Sequence, residues 1–199
     1  MFIILFLNTS VIFFGIFFKK PAKTINCGLI LIKSSSNLPE SRSELLKIIL
    51  SISKKYKDIN WEILSEENFK INSQYFDNAE WIWVLDPLDG TKDFIQGTGN
   101  YAMHLALNYK KKPYIGVVLI PEKDELWIAH AEKIWCEKRD GSIRKPNLSE
   151  NNILQEMTIV TSKNHRNQRL KDLIEKINFK KTIVMGSIGC KVASIIRGE

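Results

Sequence analysis

A mixed α/β fold of the α+β kind is what the sequence predicts, and three observations carry it. Four aromatic and β-branched runs, WIWVLD (81–86), MHLALNY (103–109), YIGVVLI (114–120) and ELWIAHA (125–131), follow one another with only short polar or proline-containing breaks between them. Ahead of them Leu45, Ile48, Ile49, Ile52 and Tyr56 recur at helical spacing. Behind them a strand-like run (157–162), a helical stretch (166–177), a second strand (181–186) and a second helix (187–197) alternate in the α/β manner.

Taken in order, residues 1–18 carry no charge and fourteen apolar side chains and are followed at once by Lys19, Lys20 and Lys23. As a helix they span roughly 27 Å, barely a bilayer core. Positive charge before the run and a small-residue cleavage site after it are both missing, so a secretory signal is excluded. Two readings stand: a single membrane anchor whose following lysines hold the chain in the cytoplasm, or a misassigned start or buried segment broken by Asn8, Thr9 and Ser10. Residues 20–43 end in a Ser, Asn and Pro cluster and read as loop. The helix from Glu44 to Tyr56 has Lys47, Lys54 and Lys55 opposite its apolar stripe, so one face should pack on a sheet. The four strands form a mainly antiparallel sheet. Arg139-Asp140-Gly141 signals a turn, and the polar stretch to Gln155 is the best linker. The expected divisions are 1–43, an apolar segment and linker; 44–150, a metal-binding α+β unit; and 151–199, a partial α/β unit.

With 199 residues, 44% of them apolar, the chain can bury a proper core, which excludes a peptide, a collagen or a disordered tail. The net charge of +7 is scattered along the chain, so no nucleic-acid polymer is expected as a partner. Cys27, Cys136 and Cys190 are odd in number and far apart, which points to a reducing, cytoplasmic compartment.

The chemistry concentrates where an apolar strand runs into Asp86-Pro87-Leu88-Asp89-Gly90-Thr91. Two carboxylates at a strand end can be aimed rigidly into a cleft. Asp-x-x-Asp around a proline turn offers both carboxylates and the Leu88 carbonyl to a hard ion such as magnesium. Gly90 lets the backbone come close to an anion, and the Gly90 and Thr91 amides can hold a phosphate oxygen. The bland alternative is a capped turn, Asp89 capping a helix over 91–95. Glu66-Glu67, upstream on a separate element, tips the balance, because a third carboxylate would complete a metal cluster. Gly186 to Lys191 forms a strand-to-helix junction whose free amides favour an anion. His104 and His130 fall within strands and read as packed or surface residues. His165, after Thr161-Ser162-Lys163-Asn164 at a strand end, is the better candidate for a nucleotide contact.

Glu66-Glu67, then Trp83 with Asp86-Pro87-Leu88-Asp89-Gly90-Thr91-Lys92-Asp93-Phe94, then Gly186-Ser187-Ile188-Gly189-Cys190-Lys191 after a strand, resembles the inositol monophosphatase superfamily over about residues 56–199. The Lys92-Asp93-Phe94 continuation is similar to its 3'(2'),5'-bisphosphate nucleotidase (CysQ) branch. The resemblance implies a layered αβαβα sugar-phosphatase-like fold and hydrolysis of a phosphomonoester on a small nucleotide or sugar. Two or three Mg2+ ions and inhibition by lithium go with it. It assigns Glu66, Asp86, Leu88 (by its carbonyl) and Asp89 to the metals, and Glu66, Thr91 and Asp89 to catalysis. Gly90, Thr91, His165, Gly186, Ser187 and Lys191 are assigned to substrate. The alternatives are an inositol monophosphatase and a non-catalytic remnant. Two family elements are absent: an upstream D-x-S-P-V-T-x-A-D segment and a downstream W-D-x-A whose Asp completes the second metal site. The C-terminal half is therefore expected to be incomplete, and the chain truncated at both ends. The D-x-D-x-T of haloacid-dehalogenase phosphatases does not match the D-x-x-D spacing here.

Overall fold

The computed structural model describes residue 54 and residues 60–65, 79–150, 152–162 and 167–199. The apolar segment 1–18, the helix expected over 44–56 (apart from Lys54), Glu66-Glu67 and His165 lie outside the described residues. Among the described residues no helix is long and apolar enough to cross a membrane.

Seven strands lie side by side in chain order: β1 (Trp61–Ser65), β2 (Trp81–Asp89), β3 (Ala102–Tyr109), β4 (Lys112–Ile120), β5 (Glu125–His130), β6 (Lys133–Glu137) and β7 (Ile143–Arg144). β1 pairs parallel to β2, and every later pair is antiparallel. The sheet is mainly antiparallel as expected, and the four expected strands are present. β6, whose Lys-Ile-Trp-Cys-Glu is short and offers little alternation, is an addition.

Period-two alternation gives the sheet two apolar faces. One carries Trp81, Trp83, Leu85, Met103, Leu105, Leu107, Leu126 and Ile128, with Trp61 stacked on Trp83 at 5.9 Å between ring centroids. The other carries Ala102, Ile120, Trp127 and Cys136. A parallel pair, β8 (Thr158–Ser162) and β9 (Lys181–Met185), is linked through the helix α2 (Gln168–Ile177). The short helix α1 (Thr91–Ile95) follows β2, and α3 (Ile188–Ile196) follows β9. Asn167 caps α2 by accepting from the Leu170 N–H at 2.9 Å. Met185, Cys190, Ala193 and Ile196 pack into the same cluster as Ala102, Ile120, Trp127 and Cys136, so α3 covers the second face and joins the C-terminal unit to the main sheet through one core.

Cys136 sits at the centre of that cluster, and burial, helped by the nearby Glu125 carboxylate, pushes its thiol up to about 11. The unfolded thiol ionises near 9.0, so over the interval up to about 11 the unfolded chain binds fewer protons than the native one. Stability contributed by Cys136 is therefore complete below that interval and is lost as pH rises through it, by roughly 2–3 kcal/mol in all. Urea midpoints across this range should fall more steeply for the parent than for Cys136→Ala, and parallel slopes would contradict the assignment.

Candidate active site

The strand end gathers its two carboxylates through a register shift. Asp86 pairs with His104 across β2 and β3, while Asp89 pairs with Ala102. Three steps along β2 thus match two along β3, a one-residue bulge at Pro87-Leu88. Without it the period of two would send Asp89 to the face opposite Asp86. With it both lie opposite even-numbered β3 residues, on the face covered by α3. Proline has no N–H to give to the ladder and is tolerated at such a bulge. The Leu88 N–H is taken up by Asp86 Oδ1 at 3.1 Å, which fixes the turn.

Beyond the bulge, Gly90 has φ of 90°, and a Cβ there would stand 2.9 Å from the Asn100 carbonyl oxygen, so this left-handed, crowded position requires glycine. Gly90 opens α1, whose first amides have no partner within the helix. The Thr91 hydroxyl donates to the Leu88 carbonyl at 3.2 Å, tying it to the turn that carries the aspartates. No side chain caps α1, so the capped-turn alternative for Asp89 does not describe this site.

Asp89 instead reaches the start of α3, nearly a hundred residues on. Its Oδ2 accepts from the Ser187 hydroxyl at 2.7 Å and the Ile188 N–H at 2.6 Å, and the Gly189 N–H lies at 3.4 Å. Ser187 is fully buried and also accepts from the Cys190 N–H at 3.2 Å, so it caps α3. A Cβ on Gly189 would collide with His104 Nε2 and stand 2.7 Å from Val118 Cγ1, so glycine lets the helix start lie directly on β3 and β4. A Cβ on Gly186 would overlap the Asp93 carboxylate. Asp93 is itself buried and accepts from the Thr98 hydroxyl at 2.6 Å.

His104, which the sequence reads as a packed or surface residue, is the neighbour that reading underrated. Its Nε2 is buried 3.4 Å from Asp89 Oδ2 and makes no hydrogen bond among the described residues. Desolvation holds the imidazole below its usual pKa against the pull of Asp89 and Asp86. The signal for it lay in the register: the residue facing Asp86 on β3 must share its face. Lys191, half-buried, donates from Nζ to the Gly186 carbonyl at 2.8 Å and more distantly to the Met185 carbonyl and Ser162 Oγ, both at 3.4 Å. Its ammonium is pushed down by burial, with Asp89 acting in the opposite sense.

The structure thus brings together Asp86, Leu88, Asp89, Gly90, Thr91, Gly186, Ser187 and Lys191. Among the described residues no three His, Cys, Asp or Glu side chains converge as a metal cluster. The donors at this strand end, two carboxylates on one face and the main-chain carbonyl of the turn between them, are all hard oxygens of the type magnesium takes. They fit such an ion, with positions to be filled from elsewhere.

The chain resembles several known proteins in sequence and in fold. The chain is 34% identical over 125 residues to the 3'(2'),5'-bisphosphate nucleotidase CysQ of Buchnera aphidicola, covering 63% of this chain and 46% of that one. It is 31% identical over 105 residues to the Escherichia coli K12 protein of the same name, covering 53% and 41%. The chain therefore spans about half the length of the curated relatives it matches. Its fold matches the crystal structure of CysQ from Bacteroides thetaiotaomicron with a TM-score of 0.59 at 22% identity, over 86% of this chain and 72% of that one. It matches an IMPase from Thermotoga maritima with a TM-score of 0.61 at 22% identity, over 86% and 68%. These likenesses bear out the expected α/β architecture. The inositol monophosphatase family model matches residues 43–199, a span that takes in the bulged Asp86-Asp89 strand end and the α3 start that meets it, and the chain belongs to that family.

Proposed function

We propose that this chain is a phosphomonoester hydrolase acting on a small phosphorylated metabolite, with magnesium as its ion and adenosine 3',5'-bisphosphate as its preferred substrate, converted to AMP and phosphate. The observation that carries the reading is the bulge that sets Asp86 and Asp89 on one face beside the Gly90-Thr91 turn. Asp86, Asp89 and the Leu88 carbonyl would hold the ion, with Glu66 as a further carboxylate. When bound, magnesium supplies charge neutralisation at the phosphate and a water of lowered pKa. The chain's own residues do the rest. The Gly90 and Thr91 amides hold phosphate oxygens, and Thr91, tied to the Leu88 carbonyl, borders the position of the attacking water. No side chain here is needed as a covalent nucleophile. Relatives named as bisphosphate nucleotidases support the nucleotide over the sugar, with His165 as the candidate contact to it.

The test is phosphate release from adenosine 3',5'-bisphosphate and from inositol 1-phosphate, each with Mg2+ and again after EDTA. Faster, EDTA-sensitive release from the nucleotide supports the proposal. Equal or faster release from inositol 1-phosphate replaces the substrate, and Mg2+ binding with no release from either makes the chain a non-catalytic member of the family.

A further inference from the structure

Asp89 Oδ2 is the most heavily engaged oxygen of the site. Two short bonds, from the Ser187 hydroxyl at 2.7 Å and the Ile188 N–H at 2.6 Å, fill the two lone pairs that a carboxylate oxygen offers in its plane. The Gly189 N–H and His104 Nε2, both at 3.4 Å, close off the remaining approach. Ser187 has no exposed surface. Its one proton goes to Asp89 and a lone pair receives the Cys190 N–H, so its hydroxyl has no proton left to give to an anionic ligand. The start of the nine-residue α3 adds a positive partial charge beside Oδ2, which favours keeping the carboxylate where it is.

We propose that Ser187 is a positioning residue for Asp89 and not a substrate contact. With the Ile188 amide it locks Oδ2 onto α3 and leaves Oδ1 as the one oxygen of Asp89 available to a cation. This rests on the metal-dependent reading of the site and adds to it the group that aims one of its ligands. Such outer partners of a ligand are commonly worth about 10–100-fold in metal affinity.

The experiment titrates the full chain with Mn2+ alone, followed by calorimetry, with a thermal melt of each variant alongside. Ser187→Ala should weaken Mn2+ binding about tenfold or more. Ser187→Gly, a far milder change to a helix cap than alanine, should weaken binding as much while melting close to the parent. Ser187→Thr, which keeps the hydroxyl, should restore binding to within about threefold of the parent, a small part of the loss expected. In an Asp89→Asn background, Ser187→Gly should cost nothing further, because the oxygen it aims is no longer a carboxylate. Parent-like binding by Ser187→Gly, or a loss that adds in full to that of Asp89→Asn, would overturn the assignment and leave Ser187 a helix cap. A parent chain that binds no Mn2+ would overturn the metal-dependent reading itself and this proposal with it.

Discussion

Asp89→Asn is expected to cut phosphate release by more than about a hundredfold while leaving the fold within about 1 kcal/mol of the parent. The catalytic loss follows from carboxylate count: with Asp86 and Asp89 the two acidic groups that the strand end presents, removing one charge halves what the described part of the site offers a divalent ion. The small structural cost follows from the clamp. An asparagine carbonyl in the place of Oδ2 can still accept from Ser187 and Ile188, and relief of repulsion between the two aspartates offsets part of what the weaker acceptor loses at the α3 start. Melting temperature and steady-state phosphate release on the same preparation decide the matter. A melting point within about 4 °C of the parent with activity gone is the expected result. A protein that unfolds instead would mean that Asp89 serves first as the anchor of α3.

The strands were legible because each carries enough β-branched and aromatic residues to announce itself, and the Asp86 to Thr91 segment because the Glu66-Glu67 pair upstream weighs against its bland reading as a capped turn. The bulge was not legible. Nothing in Pro87-Leu88 says that β3 will match three residues with two, yet that single step decides whether Asp89 shares a face with Asp86. The clamp was equally hidden, since Ser187 and Asp89 meet only after α3 has docked, and local sequence holds no record of a contact 98 positions away. His104 reads as an ordinary strand residue until the register sets it against Asp86. Asp93, read from the sequence as part of a branch signature, turns out to be buried against Gly186, where a side chain would not fit. Its place in the motif is therefore accounted for by packing, and the case for a nucleotide substrate rests more on the named relatives than on that residue.

Arg197→Ala is expected to be strongly destabilising. The Arg197 guanidinium, at the end of α3, donates to Glu125 Oε2 at 2.6 Å and to both carboxylate oxygens of Glu199, at 2.6 and 3.0 Å. Glu125 opens β5, its side chain is 5% exposed, and its other partners are the Trp127 indole N–H at 3.0 Å and Arg144 at 3.7 Å. Removing the arginine strands a buried carboxylate, a change that costs about 3–5 kcal/mol in comparable pairs. Arg144 is close enough to recover a part, which places the expected loss near about 3 kcal/mol, or roughly 6–12 °C in melting temperature for a chain of this size. The double variant Arg197→Met with Glu125→Gln removes both charges and should regain most of that loss, because the penalty belongs to the unpaired charge and not to the absence of a bond. A double variant as unstable as the single one would show that packing of the arginine stem, and not its charge, holds α3 down. Since α3 is also what grips Asp89, the single variant should lose divalent-cation affinity below its melting point, and the double variant should recover it in step with stability.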